Sequence, residues 1–163
     1  MNVLEAIRTK RAVRKYNGQP VPEETIRQIL DAGRRAQSSQ NRQPWTFIVL
    51  QDPDRLKKLA ECGLFGTPIA GCAFSIALVT SVEWPFDIGQ AAAYLQLAAW
   101  ELGVSSCLVW LGETEKAKEL LEIPAEQHLE MAIAFGYAAE PPTSKAKPTG
   151  RKPFDEVVRW EHW

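Results

Sequence analysis

The sequence predicts an α+β or mixed α/β domain in which one sheet carries helices on both faces. Three observations lead there. Four short runs, TFIVL (46–50), FSIALVT (74–80), SCLVWLG (106–112) and LEMAIAFGYA (129–138), have the length and composition of strands. Longer amphipathic stretches with helix-opening residues separate them. FSIALVT is apolar almost throughout, as expected of a strand covered on both faces.

In chain order, NVLEAIRTK reads as a first helix, with Asn2 as N-cap and Glu5 at the third helical position. VPEETIRQILDAGRRA reads as a second, opened by Pro22 and striped by Ile26, Ile29 and Leu30. The strand 46–50 follows, then DPDRLKKLAEC, another Asp-then-Pro helix start with Leu56 and Leu59 inward. After the strand 74–80 comes FDIGQAAAYLQLAAWELG (86–103), apolar nearly all round. Such a helix is buried on more than one side, and in a domain this small one side can belong to a second subunit. Gly89 and Ala92 would permit close approach there. TEKAKELLEI (114–123) reads as a helix capped by Thr114. From about residue 140 the chain turns Pro- and Lys-rich, then ends FDEVVRWEHW. A disordered tail has little use for Phe154, Val157, Val158, Trp160 and Trp163, so an arm docking on a partner subunit is expected.

At 163 residues the chain is one domain's length. Its net charge of −1 argues against a general nucleic-acid or membrane-surface binder. Three cysteines at wide spacing suit neither a disulfide framework nor a zinc site, and read as small buried apolar groups. The amphipathic start lacks a signal-peptide run and no stretch approaches membrane-spanning length, which points to the cytosol. His128 and His162 read as surface residues. No histidine–carboxylate spacing suggests a metal, and no Gly-rich phosphate loop is present. Redox chemistry here would need an organic cofactor.

Two segments carry concentrated polar chemistry. KRAVRKY (10–16) sets Lys10, Arg11 and Arg14 within five residues, either as a solvated charged turn or around an anion such as phosphate. Lys145, Lys147, Arg151 and Lys152 admit the same two readings. AQSSQNRQPW (36–45) crowds Ser38, Ser39, Asn41 and Gln43 between a helix and a strand. These side chains either satisfy their own backbone or hold something flat, polar and nucleotide-sized.

Together, KRAVRKY, the run from PVPEETIRQIL to NRQPWTFIVL, DIGQAAAYLQLAAWELGVSSCLVWLG and GRKPFDEVV resemble, in order and spacing, the FMN-dependent nitroreductase family over about residues 3–160. The resemblance implies a single FMN-binding domain (1–163) of α+β class, a three-layer α/β/α arrangement with a mixed, mainly antiparallel sheet. It implies an intertwined homodimer with C-terminal arm exchange (about 140–163) and two FMN at the interface, each held by both chains. By position, Lys10 and Arg11 stand where the family binds phosphate and ribityl, beside Ala12. Arg14 stands where a cation faces the N1–C2 carbonyl edge of the flavin. Gln37, Ser38, Ser39 and Asn41 match the loop contacting the flavin. Val109, Trp110, Leu111 and Gly112 match backbone along the ring, and Arg151 a phosphate-binding arginine of the arm.

The activity so implied is ping-pong hydride transfer from NADH or NADPH through FMN to nitro compounds, quinones or similar small acceptors. Arg14 is then the catalytic cation that stabilises negative charge at N1 of the reduced ring. Gln37 occupies the usual Pro position, and the chain departs from the pattern in three further ways: Ala12 replaces a common Ser, Thr149 a frequent basic residue, and the chain is short. SVEWP (81–85) is all that joins the second strand to the apolar helix, where larger relatives insert covering helices. An open site is therefore expected, or one roofed by Trp84, Phe65 or the partner's arm. The alternatives are a non-catalytic flavin-binding dimer and a specialised flavin enzyme: a flavin or enone reductase, an azoline oxidase or a dehalogenase.

Overall fold

The computed structural model describes residues 2–142 and 150–163. In chain order the elements are α1 (Val3–Thr9), α2 (Glu23–Arg34), β1 (Trp45–Leu50), α3 (Pro53–Ala60), α4 (Thr67–Ala70), β2 (Phe74–Thr80), α5 (Pro85–Glu101), β3 (Ser105–Val109), α6 (Thr114–Leu121), β4 (His128–Gly136) and α7 (Phe154–Val157). The strands form one sheet in the order β1-β2-β4-β3, with every neighbouring pair antiparallel. The parallel component among the described residues is a single bridge, between Ala12 and Ser106 beside β3.

Alternation along the strands decides which helices lie on which face. Phe74, Ile76 and Leu78 of β2, with Ile133 and Phe135 of β4, share a core with Ile26 and Ile29 of α2 and Ile88, Ala92 and Leu95 of α5. The intervening Ala77, Val79, Ala132 and Ala134 pack with Leu56 and Leu59 of α3, Ile69 of α4 and Ala117 and Leu121 of α6. The result is three layers, helices on both sides of the sheet. Phe74 and Phe135 stack at the centre of the first core, ring centroids 4.7 Å apart and planes within 5°. Gly33 lets α2 approach α5, since a Cβ there would stand 2.5 Å from Cδ2 of Leu95.

The caps follow from local chemistry. The Asn2 side chain accepts from Glu5 N–H at 2.9 Å and that of Asp52 from Arg55 N–H at 2.8 Å, each satisfying a helix-start donor that has no partner within the helix. Three expectations need correction. Pro22 is the N-cap of α2 rather than its first helical residue. The cap of α6 is Glu113, because the Thr114 hydroxyl turns back and donates to the Leu111 carbonyl at 3.0 Å. Strand β3 ends at Val109 instead of reaching Gly112, so Trp110, Leu111 and Gly112 form the connection into α6. The short α4 was not anticipated; it seats Ile69 in the second core.

Helix α5 is the longest element and separates the polar regions of the chain. Its 17 residues span about 25 Å. Ile88, Ala91, Ala92, Leu95 and Ala99 are buried inward. Outward, Phe86 is 63% exposed and Tyr94 44%, while Gly89 has no atom within 4 Å of where a Cβ would be. Beside it, a hollow of about 630 Å³ is lined by Val3, Ala6 and Ile7 of α1 and Tyr94, Leu97 and Ala98 of α5. Phe154, Val157, Trp160 and Trp163 of the C-terminal segment are also exposed. Lys145, Lys147 and Thr149 lie outside the described residues.

Replacing Phe135 with alanine removes one ring of the central stack and should cost about 3–5 kcal/mol. Urea unfolding followed by tryptophan fluorescence measures it. A loss below about 1 kcal/mol would show that the site collapses freely.

Candidate functional site

Two clusters of polar groups stand out, one at each end of α5. At the N-terminal end lies the loop before β1. Ser39, Gln40 and Asn41 form a 3-10 turn, and Gln40, Asn41 and Gln43 all have positive φ (53°, 55° and 49°). Left-handed backbone is tolerable for Asn and costly for Gln, and such conformations gather where function overrides local preference. The loop is held by its own serine and by α5. Gln43 N–H donates to Ser38 Oγ at 2.9 Å, Ser39 N–H to Asp87 Oδ2 at 3.0 Å, and Gln37 Nε2 to Gln90 Oε1 at 2.6 Å. Asp87 is only 5% exposed. It stands in the first turn of α5, where free helix N–H groups favour an anion. A hollow of about 530 Å³ opens here between Ser38, Ser39 and Arg42 on one side and Trp84 and Phe86 on the other. The two aromatic rings are 6.4 Å apart and tilted.

At the C-terminal end of α5 lies the basic segment. Trp100 Nε1 donates to Thr9 Oγ1 at 3.0 Å, and Gln96 Nε2 to Ser106 Oγ at 3.2 Å. Val13 N–H donates to the Ser106 carbonyl at 3.0 Å, which lays residues 12 and 13 along β3. Arg11 is engaged with backbone, its Nη1 donating to the carbonyls of Arg8 at 2.9 Å and Lys10 at 3.0 Å. The side chains of Lys10, half-buried, and Arg14, exposed, make no hydrogen bond or ion pair among the described residues. Burial pulls the Lys10 ammonium below the ordinary lysine value, and the Cys107 thiol pulls it partly back. That thiol is pushed up by burial and drawn down by Arg14 and Lys10. A half-buried ammonium with no ion-pair partner among the described residues suits an anionic ligand.

The remaining expected residues divide between these places. Ala12 is exposed at its bridge to Ser106. Val109 and Leu111 are buried, whereas Trp110 and Gly112 are exposed at the end of β3. Arg151 is exposed and makes no hydrogen bond or ion pair among the described residues.

One chain does not bring the two clusters together. The loop enters β1 and the basic segment flanks β3, the opposite edges of the sheet. Three strand spacings and the step beyond β3 amount to about 19 Å. Along α5, Asp87 and Gln96 are about 14 Å apart, and Asp87 and Trp100 about 20 Å. Sequence reasoning overlooked Asp87, Gln90 and Gln96. A buried acid in the first turn of an otherwise apolar helix was the available signal.

The family profile described as Nitroreductase family matches residues 7–64 and 79–137. A protein of Methanothermobacter thermautotrophicus, provisionally named NADH dehydrogenase/NAD(P)H nitroreductase, is 35% identical over 89% of this chain and 82% of its own. An FMN reductase (NAD(P)H) of Bacillus subtilis is 39% identical over 89% of this chain and 69% of its own. Among solved structures, an FMN-dependent nitroreductase of Clostridium difficile superposes with a TM-score of 0.88 at 26% identity. The match covers 99% of this chain and 100% of that one.

The lowered pKa of Lys10 has a consequence for stability. The folded chain binds this proton less tightly than the unfolded chain does. Stability of the anion-free protein should therefore rise with pH between the lowered value and the ordinary lysine value. In Lys10→Met that rise should flatten, and affinity for a phosphate-bearing ligand should fall about tenfold with the loss of one charged hydrogen bond. Thermal melts across the alkaline range and a phosphate titration test both.

Proposed function

The chain belongs to the nitroreductase family, and from that premise we propose that it is an FMN-dependent NAD(P)H oxidoreductase acting as a homodimer. The observation that carries the reading is the pair of cations, Lys10 and Arg14, whose side chains have no hydrogen-bond or ion-pair partner among the described residues, on the segment that Ala12 and Val13 lay along β3. They fit a flavin mononucleotide, which brings a phosphate and a ring that takes on negative charge when reduced. When bound, FMN supplies a two-electron carrier that takes hydride from NADH or NADPH and gives it to a second small molecule, a nitro compound, quinone or similar acceptor.

The chain's own groups then divide the work of holding it. Lys10 and Arg11 attract the phosphate and ribityl, with Arg151 of the arm as a further phosphate cation. Arg14 supplies fixed positive charge at the pyrimidine edge. Val109, Trp110, Leu111 and Gly112 offer backbone along the ring. Gln37, Ser38, Ser39 and Asn41 offer donors and acceptors from the polar loop.

The separation of the two clusters bears on how they meet. Pairing α5 antiparallel with a second α5 across a two-fold axis sets the N-terminal end of each helix over the C-terminal end of the other. The polar loop of one chain then faces the basic segment of its partner, and two equivalent sites form. The outward Phe86, Gly89 and Tyr94, and the apolar hollow beside α1, are suited to that contact. We take residues 1–163 as one such flavin-binding domain, with about 140–163 an arm laid on the partner. We take the protein as cytosolic; no helix among the described residues is long and apolar enough to cross a membrane.

The test is the visible spectrum of the purified protein, followed by anaerobic addition of NADH and then NADPH. Flavin bands that bleach with either donor are expected. A colourless protein that takes up no added FMN would end the reading. Arg14→Ala should weaken FMN binding and shift its midpoint potential to more negative values; an unchanged potential and affinity would remove Arg14 from this role. Ala93→Arg on the outer face of α5, and separately truncation before Phe154, should give monomers that lose flavin at the same time. Sedimentation with absorbance detection reads mass and flavin together, and a monomer that keeps its flavin would refute the shared site.

A further inference from the structure

We propose that Tyr16 is a positioning residue for this site: its hydroxyl fixes the peptide that carries Arg14, so that the guanidinium meets the flavin at one place. The proposal rests on the flavin reading above.

The segment from Ala12 to Asn17 is tied at both ends. At one end Val13 N–H donates to the Ser106 carbonyl. At the other, Asn17 N–H donates to the Tyr137 carbonyl at 3.0 Å and Ala139 N–H to the Lys15 carbonyl at 3.0 Å, with a bridge between Tyr16 and Ala138. Arg14 stands between the two ties, exposed and without a hydrogen bond or ion pair of its own among the described residues.

Tyr16 closes this bow from within. Its ring lies over Gly136, where a Cβ would approach ring atoms to 2.9 Å, so the seat exists only because residue 136 is glycine. Its hydroxyl reaches the Val13 carbonyl at 2.8 Å and the Ala134 carbonyl at 3.1 Å. The Val13 carbonyl belongs to the same rigid peptide plane as the Arg14 N–H. The single hydroxyl proton, shared between the two carbonyls, holds the plane from which the Arg14 side chain departs against the C-terminal half of β4. Burial pushes the phenol far above its ordinary range, so it remains a donor wherever the protein is folded.

Tyr16→Phe keeps the ring in its seat and removes only the hydroxyl. In flavin-free protein, amide exchange at Val13 and Asn17 should quicken while that of β2 and β4 stays as in the wild type. In the holoprotein, the FMN dissociation constant should rise about five- to tenfold and the midpoint potential should move negative. The double variant Tyr16→Phe, Arg14→Ala should show the potential of Arg14→Ala alone. Unchanged exchange would overturn the proposal, as would quickened exchange with an unaltered flavin. Additive shifts in the double variant would overturn it too, because Tyr16 would then act without Arg14. A wild-type protein that binds no FMN would remove the flavin reading and this role with it. The exchange data would still report, separately, whether Tyr16 holds the segment.

Discussion

Helix α5 has more apolar surface than one sheet face can cover, and the structure is arranged around that excess. Its inner face completes the core with Phe74, Ile76, Ile133 and Phe135. Its outer face leaves Phe86, Gly89 and Tyr94 exposed among the described residues. Its polar residues are few, and three of them tie it to the two clusters. Asp87 and Gln90 hold the loop before β1, whereas Gln96 reaches Ser106 beneath the basic segment. A single rigid rod thus sets the distance between the two clusters, and an apolar face lies midway between them.

The sequence made the frame legible wherever the cause is local. Apolar content located FSIALVT as a strand at the observed bounds, Phe74–Thr80. Asn2 and Asp52 announced two helix starts through side chains that reach donors three residues on. The errors occurred where a nearby group competed. Thr114 looked like a cap, yet its hydroxyl found the Leu111 carbonyl instead. The apolar run through Trp110 looked like strand, yet the chain must leave the sheet after Val109 to begin α6.

The site was legible in its residue types and hidden in its arrangement. Lys10, Arg14, Ser38 and Ser39 were visible as chemistry without an evident purpose in a turn. Their supports were not visible, because those bonds span the chain: Ser39 to Asp87 across 48 positions, Tyr16 to Ala134 across 118. The left-handed backbone at Gln40 and Gln43 runs against the preference of both residues, so no propensity argument could have reached it. Elsewhere the chain is conservative: among the described residues, no buried side-chain nitrogen or oxygen lacks a partner. Lys10 is set apart as a half-buried ammonium with no hydrogen-bond or ion-pair partner among the described residues.

The spacing of the clusters along α5 also bears on inheritance. In a two-fold pair joined through that helix, each site draws its cations from one chain and its polar loop from the other. Mix chains damaged in residues 10–14 with chains damaged in residues 37–41, and each supplies the part that the other lacks. The mixed pair holds one intact site and one broken in both parts, whereas neither parent pair holds any. Two defective alleles of such a protein would complement each other inside one cell, and the unit on which selection acts would be the pair of chains.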